Sequence, residues 1–261
     1  MILSFGEIPE KDRDGDDQFI GSVPADLAEK LGDLCRGAGA TPAEGFYLAW
    51  ALTLRTLNRM DDVAFTTITS GRDGFSMDVS ELTGLFINPV PVRVTVGPTA
   101  AARQLLADLH RQATETKPYE FCPLGDIQQA VGSGIQLGGL LVSYENYSNS
   151  DGEDRLLKPA LVREEHESGD VSVDAQACAD GSLSVALSYD PARYRRAEME
   201  RVFALFLNFL RRLAELPETP AAKYPLLSEP ELEEVLKLSR GESFAYDASG
   251  TWIDLFRERA G

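Results

Sequence analysis

LTGLFINPVPVRV, residues 82–94, is a strand composition with two obstacles in it. Its β-branched and aromatic residues favour extended pairing, but Pro89 and Pro91 have no amide hydrogen to give to a ladder. A strand over 86–96 is therefore expected at a sheet edge, at a bulge, or pairing regularly only from about Val92. Upstream, residues 62–69 form a second β-branched run that stops at Ser70-Gly71-Arg72-Asp73-Gly74, a turn composition, so one loop joins two strands. Downstream come Pro123-Leu124-Gly125-Asp126-Ile127-Gln128 and then Tyr144-Glu145-Asn146-Tyr147, the latter closing an apolar run that begins at Leu140.

Helical signals alternate with these strands. After Pro24, a favourable first-turn residue, Leu27, Leu31, Leu34 and Cys35 recur at helical spacing and make an amphipathic stripe that Gly37 and Gly39 end. Thr41-Pro42-Ala43-Glu44 is a capping box with proline at the first helical position. The helix it opens carries Phe46, Tyr47, Ala49, Trp50, Leu52, Leu54 and Leu57 around most of its circumference, which places it in the core. Leu105, Leu106, Leu109 and Ala113 share one face of a helix over 99–116, and a strand is expected over 140–147. Residues 171–179 and 183–189 alternate apolar with polar on either side of Asp180-Gly181, a hairpin signal. A helix over 195–215 buries Met199, Val202, Phe203, Phe206, Phe209, Leu210 and Leu213. Residues 1–18 read as a lead-in and order begins near Phe19. Past Leu216 a linker punctuated by Pro217, Pro220 and Pro225 leads to a short acidic helix opened by Ser228-Glu229-Pro230-Glu231 and ending near Leu238. The architecture is α/β, a mixed sheet packed by helices, with a strand order that local patterns do not give.

Composition removes several classes of function. At 261 residues and 43% hydrophobic the chain can bury a substantial core. A formal charge of -17 argues against nucleic acid, whose recognition draws on clustered Lys and Arg, and an acidic surface repels anionic lipid. The acidity is uneven: residues 145–190 hold 11 Asp and Glu against 3 Lys and Arg. Three cysteines, Cys35, Cys122 and Cys178, without Cys-x-x-Cys spacing suggest neither a disulfide framework nor a zinc site, and a reducing cytoplasm fits them. No apolar run approaches the roughly 20 residues of a membrane span, and the charged first residues do not form a signal peptide.

Taken in order, Ser70-Gly71-Arg72, the run 82–94, Pro123 to Gln128 and Tyr144 to Tyr147 resemble the second half of the condensation domain of nonribosomal peptide synthetases. The resemblance covers residues 19–216 and continues through the linker, 217–249. From Thr251-Trp252-Ile253-Asp254-Leu255-Phe256 the chain is similar to the start of an adenylation domain, which 250–261 would begin and a longer natural protein would continue. The fold implied is the C-terminal lobe of a chloramphenicol acetyltransferase-like architecture. The family's catalytic His-His-x-x-x-Asp-Gly belongs to the first half, and this chain has only His110 and His166, far apart.

In such enzymes an upstream carrier protein presents an acyl or peptidyl thioester, and the amine of a second carrier-bound substrate attacks it in a tunnel between lobes. The resemblance implies acceptor-side and tunnel-wall positions for Ser70, Gly71, Arg72, Gly84, Phe86, Asn88, Asn146 and Tyr147. Glycine admits a thin phosphopantetheine arm close to backbone, and arginine anchors a loop through several hydrogen bonds. Arg72 reads more readily as a brace of the fold than as a substrate contact. Asn88 suits either the amides of a bound arm or the end of a strand. The family often has Thr after this Asn, and Pro89 here removes a hydroxyl and an amide hydrogen. After Tyr147 the family's chain crosses to the other lobe as a latch, and residues 148–159 have the polarity for that excursion. His110 reads as a surface or packing histidine, His166 as part of a solvated acidic run, and Cys122 as core packing rather than a nucleophile.

Two functions of different class follow from the resemblance. The chain is the acceptor-side lobe of a condensation domain, contributing to amide-bond formation and inactive alone; or it is a non-catalytic remnant kept as an interaction platform for the adenylation domain. A free-standing acyltransferase is disfavoured, because no base-nucleophile pair can be assembled from the sequence. The expected partners are a condensation N-terminal lobe, the downstream adenylation domain and a peptidyl carrier protein. No cofactor is expected to bind directly, only the phosphopantetheine arm of the carrier.

Overall fold

The structure, a computed structural model, describes residues 18–72, 82–132, 137–145, 171–241 and 251–260. Its most locally determined part is the hairpin of β5 (Val171–Ala177) and β6 (Leu183–Tyr189). Gly181 turns the chain at φ 83, where a side chain would be strained, and Asp180 Oδ1 accepts from the amide and the hydroxyl of Ser182 at 3.0 and 2.6 Å. The register then runs from Ala177 opposite Leu183 to Val171 opposite Tyr189. With side chains alternating between faces, Val171, Val173 and Ala175 join Leu183, Val185, Leu187 and Tyr189 on one buried face.

Four more strands extend this pair into a six-stranded sheet. β1 (Gln18–Val23) lies antiparallel on the outer side of β6. β4 (Leu140–Glu145) lies parallel to β5 and, through Leu141, to β2 (Asp62–Thr69). β3 (Asn88–Thr95) is antiparallel to β2 and closes the order β1-β6-β5-β4-β2-β3. Of the three arrangements open to the proline-containing strand, the sheet uses the edge, and pairing starts at Asn88, ahead of both prolines.

The helices cover the buried face. α1 (Ala25–Gly37) has Pro24 at its N-cap, one position before the expected first turn, and buries Leu27, Leu31, Leu34 and Cys35. α2 (Pro42–Asn58) opens on the capping box: the Thr41 hydroxyl accepts from Glu44 N at 3.3 Å, and Glu44 Oε2 accepts from Thr41 N at 2.7 Å. Its run from Phe46 to Leu54 is buried nearly all round. Trp50 stacks on Phe206 of α5 (Arg196–Glu215) at 4.9 Å between centroids, and Phe46 meets the same ring edge-on at 5.0 Å. α3 (Ala102–Thr116) and the short α4 (Leu124–Val131) complete the layer's connections, with a single 3₁₀ turn, Lys117–Tyr119, after α3. The opposite face of the sheet carries small and polar side chains: Ser143 and Ser172 donate to the two oxygens of Asp174 at 2.7 and 3.2 Å.

The described residues belong to two compact units, the first ending at Leu226 and the second running from Leu227. Within the first, the segment after α5 is tied back to it. Asn208 Nδ2 donates to Pro225 O and Leu226 O at 2.9 and 3.2 Å, and the Tyr224 hydroxyl donates to Leu216 O at 2.9 Å. Burial pushes that phenol up to about 12, so it stays a donor across the ordinary pH range. The second unit contains α6 (Glu229–Arg240), which starts at the Ser228 capping box, and α7 (Trp252–Ala260). Leu232, Val235, Leu236 and Leu238 of α6 are exposed, as are Trp252, Ile253 and Phe256 of α7.

Candidate functional site

The β2–β3 pair opens at Thr69 and Asn88, which face each other across the ladder, with the Thr69 hydroxyl donating to Asn88 O at 3.3 Å. Ser70, Gly71 and Arg72 leave this point, and Gly84 and Phe86 return to it. Gly71 adopts φ 64, and a Cβ there would fall 1.9 Å from Phe86 O, so glycine is demanded by conformation and by close approach together. Arg72 places its guanidinium 4.5 Å from the centroid of the Phe86 ring and donates from Nη1 to Leu82 O at 3.1 Å. A Cβ on Gly84 would come within 3.2 Å of the Phe86 ring. The Ser70 hydroxyl accepts from Arg72 N at 3.5 Å. The two motifs therefore form one cluster, and Arg72 braces it.

Asn88 extends the cluster to a third segment. Its Nδ2 donates to Glu120 O and to Cys122 O, both at 2.7 Å, pinning the turn between the 3₁₀ helix and α4 to the first residue of β3. Of its two expected roles, backbone satisfaction is the one made here. The cluster carries large apolar side chains outward: Leu85 is 91% exposed, and Leu82, Ile87, Tyr119 and Phe121 are also exposed. Sequence reasoning does not group the turn at 119–122 with the motifs. Its one signal there is the pairing of Tyr119 and Phe121 around a glutamate ahead of Pro123, which no helical or strand period explains.

Asn146 and Tyr147, the excursion 148–159 and His166 lie outside the described residues. Glu145 ends β4 opposite Gln176. His110 Nδ1 lies 3.2 and 3.3 Å from the two oxygens of the capping Glu44, whose side chain is only 9% exposed, so this histidine fastens α3 to the start of α2. Burial, with the Glu44 charge adding to it, pushes the Cys35 thiol up to about 12, where it stays protonated. Burial also raises Tyr47, whose hydroxyl accepts from Thr67 at 2.7 Å. Cys122 is half-buried and enters the cluster through its carbonyl. Among the described residues no group of three or more His, Cys, Asp or Glu is placed to hold a metal, and no helix is long and apolar enough to cross a membrane. One groove of about 420 Å³ lies between β3 and α3; another of about 530 Å³ is lined by Ala25, Pro42, Tyr144, Asp180 and Leu183. Arg93 and Val94 of the run 82–94 line the first and Tyr144 the second, but Ser70, Gly71, Arg72, Gly84, Phe86 and Asn88 line neither.

The condensation-domain profile matches residues 6–236. Tyrocidine synthase 3 of Brevibacillus parabrevis is 25% identical over 244 residues, which is 92% of this chain and 4% of the synthase. The second surfactin synthase protein of Bacillus subtilis is 27% identical over 199 residues, 74% of this chain and 6% of that protein. In structure the chain resembles a four-domain nonribosomal peptide synthetase bound to AMP and glycine, with a TM-score of 0.71 at 15% identity, covering 82% of this chain and 18% of that one. It also resembles the first condensation domain of the calcium-dependent antibiotic synthetase, with a TM-score of 0.65 at 16% identity over 81% of this chain and 47% of that domain. The chain thus spans between 3% and 19% of the curated synthetases it matches and about half of an excised condensation domain. Its mixed sheet packed by helices is the chloramphenicol acetyltransferase-like arrangement of those domains. The chain belongs to the condensation-domain family of nonribosomal peptide synthetases.

Proposed function

We propose that this chain is the acceptor-side lobe of a condensation domain and that it forms one wall of the channel in which a carrier-bound amine meets a carrier-bound thioester. In that reaction the amine forms a C–N bond to the thioester carbonyl, the C–S bond breaks, and the thiol of the donor's phosphopantetheine arm leaves with a proton. The observation that carries the reading is the cluster at Gly71, Arg72, Phe86 and Asn88: three segments are locked to one another while Leu85, Ile87, Tyr119 and Phe121 face outward. Cross-linked backbone under exposed apolar side chains suits a surface that is covered in the working assembly. We read its cover as the N-terminal lobe, and Ser70, Gly71, Arg72, Gly84, Phe86, Asn88, Asn146 and Tyr147 as lining or supporting the acceptor channel. Residues 19–216 would be the lobe, 217–249 the connection to a downstream adenylation domain, and 250–261 that domain's first residues.

The exposed apolar stripe of α6 and the exposed Trp252, Ile253 and Phe256 of α7 favour the adenylation domain as a partner for the second unit. They fit the alternative of an interaction platform as well. Condensation assays separate the two. The isolated chain, given carrier-bound donor and acceptor, is expected to make no product, since general acid-base assistance alone is worth about 10²-fold to 10⁴-fold and it has no His-His-x-x-x-Asp-Gly. Supplying a condensation N-terminal lobe that carries that motif should restore product if the chain is an acceptor lobe. Product from the chain alone within tenfold of a complete domain would overturn the proposal.

A further inference from the structure

Sheet edges are kept from adding a strand by short length, charge, proline, bulges, or groups that occupy their outward N–H and C=O. β3 is one edge of this sheet, and among the described residues no strand pairs with its outer side. In an antiparallel pair, residues alternate between those that bond the partner strand and those whose backbone groups point away. Gln112 of α3 shows which set is which. Its Oε1 accepts from Arg93 N at 3.1 Å and its Nε2 donates to Arg93 O at 2.9 Å, the pair of bonds that a neighbouring strand would make. The backbone of Arg93 therefore points outward, and with it positions 89, 91 and 95 of the strand. Two of those four positions are Pro89 and Pro91, which have no N–H to offer.

We propose that β3 is sealed against strand addition by these three residues acting together, Pro89, Pro91 and Gln112, with Gln112 standing in for a strand, and that unsealing it lets a second copy of this chain add its β1. The choice of β1 follows from the sheet: it is the opposite edge, its six residues contain no proline, and Ile20 on it is exposed. A β1-to-β3 contact joins two different surfaces, so growth would be open-ended rather than stopping at a dimer. The seal obliges any partner that approaches β3 to dock through side chains. This inference is independent of the proposed chemistry.

The test compares the full chain with Gln112→Leu and with the triple variant Pro89→Thr, Pro91→Thr, Gln112→Leu. Gln112→Leu should accelerate hydrogen exchange of the Arg93 amide by roughly tenfold, the loss of one hydrogen bond, with the thermal midpoint little changed. In sedimentation velocity the triple variant should form a ladder of oligomers at concentrations where the wild type forms none. Adding Ile20→Lys, a charge on the β1 edge, should suppress the ladder. Unchanged exchange at Arg93 would overturn the role of Gln112 even if the triple variant failed to fold. Wild-type sedimentation of a folded triple variant would overturn the seal, and a ladder indifferent to Ile20→Lys would overturn the assignment of β1.

Discussion

Replacing Asn88 separates a residue that holds the protein together from one that waits for substrate. Its two donor bonds, each 2.7 Å, tie the start of β3 to the carbonyls of Glu120 and Cys122. Asn88→Ala removes both, and at about 0.5–1.5 kcal/mol net per bond the loss is about 1–3 kcal/mol. Asn88→Asp is nearly isosteric but turns the donor into an oxygen facing two carbonyl oxygens, so it should cost more than alanine. Urea titration should report the order wild type, then alanine, then aspartate in midpoint. For a unit of this size each kcal/mol corresponds to roughly 2–4 °C in thermal midpoint. Hydrogen exchange should localise the change to the amides of 119–131, with the β5–β6 hairpin unaffected. If both variants stay within about 0.5 kcal/mol of wild type, or aspartate matches wild type, the bracing role is wrong.

Gly71→Ala should destabilise the protein by at least about 2 kcal/mol, because a left-handed backbone costs a side chain about 1–2 kcal/mol and the new Cβ also meets Phe86 O; chemical denaturation measures it. Asp62 is held below the usual carboxylate range by hydrogen bonds from Arg93, which donates from Nε and Nη2 at 2.8 and 2.6 Å. Since the folded-state value is the lower one, its contribution is present above about pH 4 and disappears as pH falls through the lowered value. The urea midpoint of the wild type should therefore fall more steeply towards about pH 3 than that of Arg93→Gln. Both side chains are largely exposed, so the difference should be small and salt-sensitive. In the folded chain Cys35 should resist a thiol reagent at mildly alkaline pH while Cys122 and Cys178, neither of them fully buried, react; in denaturant all three should label.

What is legible in the sequence is what neighbours along the chain decide. The capping box at Thr41 and Glu44 announces α2, and apolar residues on every side of it announce a core helix. Asp180-Gly181 announces the β5–β6 hairpin, and Pro89 with Pro91 narrows its strand to an edge, a bulge or late pairing, since the loss of an amide hydrogen is a local fact, while the choice of the edge is made by the sheet. β1 is illegible because Gln18–Val23 is a short run whose strand partner, β6, lies far along the chain. α4 has just eight residues, too few to establish a period. In the candidate site, the residue types at Gly71 and Arg72 are readable, whereas the ring under Arg72 and the two carbonyls under Asn88 depend on contacts 14 to 34 residues distant.

The pairing of β1 with β6 also constrains how the protein is born. Gln18 and Ser188 are 170 residues apart, so β1 leaves the ribosome long before its partner. At typical elongation rates of about 5–20 residues per second, that interval lasts roughly 10 to 30 s. For that time Phe19 and Val23 have no sheet to join, and α1, α2 and the β2–β3 pair must collapse without the strand that will bound them. Long-range pairing of this kind folds slowly because the loop must close before any contact rewards it. The nascent chain therefore presents an unpaired strand until residues 183–189 emerge, and β6 is the strand that joins β1 to the rest of the sheet.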